Sequence, residues 1–154
     1  MIQYRKAIPG DAGAMVKLRI AFLEEVQREA PPCDRKALVA SLEQYFVEGF
    51  RNDRYIAWLA TDGDLIVGTS GLTFYHMPPS FKNLPGGVAY IMNMYTIPGY
   101  RKRGIASALF ERIIAEAGAL GYKKLSLHAT AMGRPLYAKY GFKDEGKEMV
   151  LRIA

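Results

Sequence analysis

The fold is decided by the stretch VAYIMNMYTIPGYRKRGIASAL, residues 88 to 109, which predicts a strand, a tight polar corner and a helix. Up to Ile97 the stretch is a nearly continuous run of apolar, aromatic and branched residues, and Pro98-Gly99 ends it, which favours a buried strand. From Ile105 apolar residues recur at three- and four-residue steps until Gly121, the pattern of an amphipathic helix with a glycine after its last turn. The stretch therefore predicts a helix that begins shortly after a buried strand.

The corner between this strand and this helix has the composition of an anion-binding site. It reads RKRGIAS, residues 101 to 107, so three cations flank the start of the helix. The first backbone N–H groups of a helix have no acceptor within the helix and carry the positive end of its dipole. Gly104 has no Cβ and would let a ligand approach the backbone closely. A phosphate group is the predicted ligand, although each cation would equally suit a solvated surface.

The pattern R-x-x-G-x-A, carried here by Arg101, Gly104 and Ala106, resembles the pyrophosphate-binding motif of the GNAT superfamily of acetyl-CoA-dependent N-acetyltransferases. A second landmark of that family, L-Y-x-x-x-G-F, is matched downstream by Leu136, Tyr137, Gly141 and Phe142. The two landmarks occur in the family's order, with a further strand predicted between them. The resemblance is specific from about residue 55 to the end of the chain, and it rests on pattern alone before that.

The resemblance implies acetyl-CoA as the cosubstrate and a set of residues that would hold it. In the family the fourth and fifth strands splay apart to admit the pantetheine arm, which here would lie along the backbone of Met94, Tyr95 and Thr96. The pyrophosphate would bind at the corner. The residues concerned are Arg101, Lys102, Arg103, Gly104, Ile105, Ala106 and Ser107.

Tyr137 matches the family position of a phenol that protonates the departing CoA thiolate. The alternative is that Tyr137 only packs, as Tyr140 and Phe142 are expected to do. We favour the catalytic role because of the motif in which Tyr137 stands.

The chain departs from the family pattern at two places. Thr130 stands where many members carry an asparagine that bonds the cofactor, so a side-chain contact from Thr130 is not expected. The strand from Tyr90 to Thr96 contains no carboxylate, whereas some members carry a glutamate base there. The general base is therefore left open between a water and a group elsewhere. Asn93 is a candidate for orienting water or substrate, and His128 is a conceivable base, although a histidine on a strand is more often structural.

The predicted element order is a strand, two helices, three strands, a helix, a strand, a short helix and a last strand. We expect an α/β (α+β) fold with one mixed sheet of about six to seven strands, helices on both faces, and a splayed fourth and fifth strand. The whole chain, residues 1 to 154, is expected to form a single domain. The last strand is predicted over residues 147 to 153, where side chains alternate.

Two helices are predicted between the first and second strands. Asp11 should cap one of them, and Asp34 the other. The first is expected to turn one apolar row towards the core, formed by Met15, Leu18, Phe22 and Val26, and the second another, formed by Leu38, Leu42, Phe46 and Phe50. The acidic residues of the first helix, Glu24, Glu25 and Glu29, fit a solvated surface better than the alternative, in which one of them reaches a substrate amine.

Composition limits the classes of protein to consider. Cys33 is the only cysteine, so no intrachain disulfide and no metal cluster of cysteines can form. No apolar run approaches the length of a membrane span and no basic start precedes one, so we expect a cytoplasmic protein. The formal net charge of +6 suits either a nucleic acid or a polyphosphate-bearing cosubstrate.

Three functions are compatible with these observations. The first is an acyltransferase that transfers the acetyl group of acetyl-CoA to a primary amine of a small molecule or peptide by direct attack in a ternary complex. The second is a GNAT-like sensor or interaction module that binds CoA without catalysis. The third, a nucleic-acid-binding protein, ranks last because the chain has neither a recognition helix nor an aromatic and basic strand pair. No membrane partner is expected, and the edge of the last strand suggests a homodimer.

Overall fold

The computed structural model describes residues 1 to 153. One sheet runs through the molecule, with its strands in the order of the chain. The first four strands pair with one another in antiparallel fashion, and the fifth is parallel to the fourth. The strands are β1 (Ile2–Lys6), β2 (Tyr55–Asp62), β3 (Leu65–His76), β4 (Gly87–Thr96) and β5 (Leu125–Leu127), and the helices are α1 (Ala12–Val26), α2 (Arg35–Arg51), α3 (Ile105–Ala119) and α4 (Arg134–Lys139).

The predicted mixed sheet with helices on both faces is confirmed. Helices α1 and α2 cover one face, where Met15 and Phe46 pack with Leu59 of β2. Helices α3 and α4 cover the other face, where Phe110 and Tyr137 belong to one buried cluster. Packing on both faces fixes β4 and the groups at its C-terminal end.

Within residues 1 to 153 the sheet has five strands, slightly fewer than the six to seven expected. The missing strand is the one predicted over residues 147 to 153, which have no regular secondary structure. Met149, Leu151 and Ile153 are 96%, 85% and 89% exposed. An alternating pattern makes a strand only where a neighbouring strand accepts its backbone hydrogen bonds, and none does so here.

The apolar row of α1 differs from the predicted one. The residues buried on this helix are Ala12, Met15, Val16 and Ile20, whereas Val26, which we expected to be buried, is 42% exposed. The expected cap is also different, because the Asp11 carboxylate accepts from the Arg5 guanidinium at 2.8 and 2.9 Å and from the Ile8 backbone N–H. A bidentate bond from arginine is stronger than a bond to a helix N–H, so Asp11 fastens α1 to β1 instead.

The cap predicted for α2 is confirmed. The Asp34 carboxylate accepts from the backbone N–H groups of Lys36 and Ala37 at 2.9 and 3.2 Å. Phe46 is buried on the predicted row, and Leu38, Leu42 and Phe50 are partly buried around the same cluster. Helix α2 therefore begins and faces the sheet as its sequence predicts.

Strands β4 and β5 form a fork. They pair only from Ala89 to Ile91, so residues 92 to 96 of β4 have no partner in β5. On its other side β4 has a bulge, where Asn93 and Met94 stand opposite Ser70 of β3. Asn93 has φ 58°, the left-handed conformation that the first residue of such a bulge adopts. The splayed fourth and fifth strands predicted from the sequence are therefore present, and the bulge lies inside the opening.

Candidate functional site

The loop before α3 offers unpaired backbone donors. Within residues 1 to 153, the backbone N–H groups of residues 102 to 107 have no hydrogen-bond acceptor, and the first bond of the helix runs from the Ala108 N–H to the Gly104 carbonyl. Lys102 and Gly104 have φ 61° and 77°. Left-handed residues in such a loop create a concave set of N–H groups that suits an anion. The structure thus has the unsatisfied donors that a pyrophosphate requires.

Arg101 is not one of the free cations at this loop. Its guanidinium donates to both carboxylate oxygens of Glu25 at 2.7 and 2.8 Å, and its Nε donates to the Thr96 carbonyl at 2.9 Å. The hydrogen bonds from Arg101 hold the pKa of Glu25 below its ordinary value. Neither interpretation of the acidic face of α1 was therefore right for Glu25, which is neither solvated nor free to reach a substrate. Glu25 and Arg101 instead tie the loop to α1.

The other members of the predicted corner divide between surface and core. Lys102 and Arg103 are exposed, with the Arg103 guanidinium 4.8 Å from the ring centroid of Tyr100. Ile105 turns its side chain into the core and is 2% exposed, so only its backbone faces the loop. Ala106 is exposed and Ser107 is half-buried in the first turn of α3. The charge left free for an anion thus comes from Lys102 and Arg103.

The fork between β4 and β5 exposes one side of the β4 backbone at Met94, Tyr95 and Thr96. Tyr95 and Thr96 pair with β3 on their other side, which holds this edge in place. The Thr96 carbonyl is already taken by Arg101. The β4 edge expected to line the opening is therefore not covered by β5, but the Thr96 carbonyl on it is engaged within the chain.

Tyr137 lies on the α3 side of the sheet, in one apolar cluster with Met94. It is 8% exposed, and its ring centroid is 5.1 Å from that of Phe110. The Tyr137 hydroxyl has no hydrogen-bond partner within residues 1 to 153, and burial raises its pKa. A Cβ on Gly133 would lie 2.8 Å from this hydroxyl oxygen, so the glycine leaves the room that the phenol occupies. Tyr137 therefore has a protonated hydroxyl near the fork that is available to donate a hydrogen bond.

Thr130 has a local structural role. Its hydroxyl accepts from the Gly133 backbone N–H at 3.2 Å, and its carbonyl accepts from the Arg134 N–H. Both bonds shape the start of α4, one turn before Tyr137. The Thr130 hydroxyl is thus engaged as an acceptor within the chain.

A series of hydrogen bonds joins Tyr90 of β4 to His128 and Glu148. The Tyr90 hydroxyl lies 2.5 Å from His128 Nδ1, and His128 Nε2 lies 2.6 Å from a Glu148 carboxylate oxygen. Tyr90 stands on β4 next to Ile91, the last residue paired with β5, whereas His128 and Glu148 are exposed. A neutral imidazole that accepts from the phenol and donates to the carboxylate satisfies both contacts. Sequence reasoning named His128 but gave no reason to join it to Tyr90 and Glu148.

Two buried polar atoms near the bulge have no partner within the described residues. These are the Asn93 amide oxygen and the Thr69 hydroxyl oxygen, on residues that are 3% and 0% exposed. The Asn93 amide nitrogen donates to the Tyr55 hydroxyl at 3.4 Å. Buried polar groups usually form hydrogen bonds with the protein, with water or with a ligand. These two atoms therefore indicate a position where a water molecule or a ligand binds.

Comparison with protein families matches residues 19 to 142 to the acetyltransferase (GNAT) family. The matched segment contains the loop before α3, the fork and Tyr137. The chain belongs to the GNAT family.

Individual GNAT relatives support this assignment over almost the whole chain. A predicted acetyltransferase from Clostridium acetobutylicum, solved with acetyl-CoA, is 33% identical, covers 99% of this chain and 96% of its own, and superposes with a TM-score of 0.90. A GCN5-related N-acetyltransferase from Ralstonia eutropha JMP134 is 29% identical, with 99% of both chains covered and a TM-score of 0.86.

The curated relative YsnE from Bacillus subtilis (strain 168), an uncharacterised N-acetyltransferase, is 29% identical over 108 residues. That match spans 67% of this chain and 66% of the relative. The family expected from the sequence, its acyltransferase class and acetyl-CoA as its cosubstrate are therefore confirmed. A separate observation is that none of the helices within residues 1 to 153 is long and apolar enough to cross a membrane.

Proposed function

We propose that this GNAT chain transfers the acetyl group of acetyl-CoA to a primary amine by direct attack in a ternary complex. The observation that carries the proposal is that unpaired N–H donors and a phenol without a hydrogen-bond partner in the described residues lie at one opening in the sheet. The donors are the backbone N–H groups of residues 102 to 107, and the phenol is Tyr137.

In this proposal the loop before α3 binds the pyrophosphate of the cosubstrate. The N–H groups of residues 102 to 107 donate to the phosphate oxygens, and Lys102 and Arg103 add positive charge at the rim. Arg101 acts indirectly, because its bonds to Glu25 and Thr96 fix the loop between α1 and the end of β4. When bound, acetyl-CoA supplies a thioester, an acyl donor that an amine can attack.

Tyr137 serves the leaving group. As negative charge develops on the sulfur, the Tyr137 hydroxyl donates a hydrogen bond and then its proton to it. The raised pKa of this phenol keeps it protonated at neutral pH, and it also makes complete transfer less favourable than for an exposed tyrosine. Much of its contribution is thus a hydrogen bond that strengthens as the thiolate forms.

Tyr90 and His128 provide a route for the proton that the amine must lose. As the Tyr90 oxygen takes a proton from the attacking nitrogen, its own proton passes to His128 Nδ1, and Glu148 stabilises the imidazolium that results. The atoms balance because Tyr90 ends the step as a neutral phenol. In this proposal the Tyr90 route takes the place of the carboxylate base that β4 lacks.

The experiment is a steady-state assay of free thiol release from acetyl-CoA with a panel of amines that includes amino acids, polyamines, aminoglycosides and peptide N-termini. Thiol release that depends on one of these amines, with the acetylated product found by mass spectrometry, supports the proposal. Tight CoA binding in calorimetry without thiol release for any amine would favour the non-catalytic sensor.

We further propose that the chain forms a homodimer through residues 147 to 153. Met149, Leu151 and Ile153 expose apolar side chains on a segment with no backbone partner, and the outer edge of β5 is free within the described residues. A second copy could supply the missing partner. Sedimentation at micromolar concentration should show a dimer for the wild type and a monomer for Leu151→Asp, and a wild-type monomer would refute this proposal.

A further inference from the structure

Arg19 interrupts the apolar face that α1 turns towards β4. It lies one turn after Met15, which is fully buried, and one turn before Phe22, whose ring centroid is 5.3 Å from the Arg19 guanidinium carbon. Phe22 in turn packs edge-on against Tyr95 of β4. Arg19 therefore points along the sheet face beside the fork, and burial lowers its pKa.

The Arg19 guanidinium has no anionic partner in the part of the chain that the structure describes. Within residues 1 to 153 no carboxylate lies within ion-pair distance of it, and none of its N–H groups makes a hydrogen bond. Two of the carboxylates on this side of the molecule are engaged elsewhere, since Glu25 binds Arg101 and Glu148 binds His128. The phenols of Tyr55, Tyr90 and Tyr45 lie in the neighbourhood of Arg19.

A largely buried guanidinium without a counter-ion is costly, because it loses hydration and gains no hydrogen bonds in return. An anion that binds such a guanidinium supplies the missing hydrogen bonds and the missing counter-charge. The planar fork of guanidinium donors matches the two oxygens of a carboxylate or phosphate. Because Tyr90 is one of the phenols in the neighbourhood of Arg19, that anion would lie on the same side of the sheet as the group proposed to take the amine proton.

The same face of the sheet has a buried polar atom without a hydrogen-bond partner in the described residues. The Asn93 amide oxygen is buried without a partner, and Asn93 is bonded to Tyr55, one of the phenols near Arg19. An amine has N–H groups to donate to such an oxygen, whereas an anion does not. Arg19 and Asn93 thus present complementary groups for the two ends of one ligand.

We infer that Arg19 binds an anionic group of the acceptor, so that the acceptor is an amine that also carries a carboxylate or a phosphate. The inference rests on the proposed acetyl transfer and narrows its substrate class. Arg19 would select the acceptor and orient its amine towards Tyr90, and it would take no part in binding acetyl-CoA.

The test compares amines in matched pairs that differ only in the anion. An α-amino acid is compared with its carboxamide, and phosphoethanolamine with ethanolamine, so the pairs distinguish a carboxylate from a phosphate ligand. We expect kcat/KM for the charged member of one pair to exceed that of its partner by about tenfold or more, as charge-assisted hydrogen bonds would give. Arg19→Gln should remove the preference and leave the affinity for acetyl-CoA unchanged.

Arg112→Gln is the matched control, because Arg112 also packs over aromatic rings, those of Tyr4 and Trp58, on the opposite face of the sheet. It should retain the preference of the wild type. The unfolding temperature of Arg19→Gln should be unchanged or higher, since a desolvated charge is removed. A large fall in that temperature, with the same fall for Arg19→Lys, would indicate a structural arginine and overturn the inference.

Calorimetric binding of the same pairs keeps this test separate from that of the proposed function. If no amine is acetylated, the proposed function fails, but tighter binding of the charged amine to the wild type than to Arg19→Gln would still support the anion site. Equal binding of charged and uncharged members to the wild type would overturn it, whether or not any amine is acetylated.

Discussion

Glu25 of α1 and Arg101 of the loop before α3 are joined by two parallel hydrogen bonds, 2.7 and 2.8 Å long, across 76 residues of sequence. Each side chain is only 25% exposed, so the pair is partly shielded from water. Because Arg101 also donates to the Thr96 carbonyl, one guanidinium connects the loop to both α1 and the end of β4. The shape of the proposed pyrophosphate site therefore depends on a helix distant in sequence.

Glu25→Gln should loosen this loop. Loss of a bidentate, partly buried pair should lower the free energy of unfolding by about 1 kcal/mol and weaken CoA binding severalfold. Glu24→Gln is the control, since Glu24 pairs with Arg35 at the exposed surface. Denaturant unfolding and calorimetry with CoA measure the two effects, and equal results for both variants would contradict the prediction.

The same pair predicts a dependence of stability on pH. The pKa of Glu25 is held below its ordinary value of 4.5, chiefly by the hydrogen bonds from Arg101. A lowered carboxyl pKa gives stability that is present above the ordinary pKa and is lost as the pH falls through the lowered one. The stability difference between wild type and Glu25→Gln should thus be constant at neutral pH and shrink below about pH 4.5. A difference that grows in acid would exclude this origin.

Gly104→Ala should weaken CoA binding, because a Cβ would project into the space where the phosphate is proposed to approach the backbone. Gly104 has φ 77°, and a Cβ there would meet no other protein atom, so a loss of about 1 kcal/mol in stability arises from the left-handed conformation. Gly121, after the other end of α3, has φ 87° and similarly open surroundings. Gly121→Ala should therefore lose similar stability and retain its CoA affinity. If both variants bind CoA as the wild type does, the loop is not the site.

The features that can be predicted from the sequence are those that lie within short segments. Gly104, Tyr137 and the cap at Asp34 are recognisable because a local pattern determines each of them. The pairing of Glu25 with Arg101 is not predictable in this way, because two distant charges look solvated until the fold brings them together. The sequence did not indicate the burial of Arg19 for a related reason, since an arginine in an amphipathic helix is ordinarily exposed.

The strand count shows a different limit of the sequence. Alternation over residues 147 to 153 indicated a strand, yet a strand also needs a backbone partner, and pattern does not supply one. Strand β5, at the edge of the sheet, pairs with β4 over only three residues. The sheet thus opens at the fork instead of continuing.

His128→Gln should slow turnover if the Tyr90 route carries the amine proton. We expect a fall in kcat of about tenfold or more, with the KM for acetyl-CoA unchanged. Tyr90→Phe should give a similar fall, and the double variant should be no slower than either single one, because both interrupt one route. His76→Gln replaces the other histidine, which is exposed at the end of β3, and should have no effect. Additive losses in the double variant would show that the two groups act separately.

Tyr137→Phe is the most direct test of the proposed chemistry, because it removes a hydroxyl that makes no hydrogen bond within the described residues and keeps the ring packed on Phe110. Loss of a general acid typically costs about a hundredfold in rate, so kcat should fall by roughly that factor. The dissociation constant of acetyl-CoA should change little, since the ring still forms the same wall.

Tyr140→Phe is the control for this variant, because the Tyr140 hydroxyl donates to Glu111 and Tyr140 packs on the same Phe110 ring. It should turn over at nearly the wild-type rate. Gly133→Ala should resemble Tyr137→Phe, since its methyl group would occupy the space of the Tyr137 hydroxyl and displace the phenol. Normal turnover in Tyr137→Phe with weaker cosubstrate binding would show that Tyr137 is part of the pocket wall, and solvent would then have to protonate the thiolate.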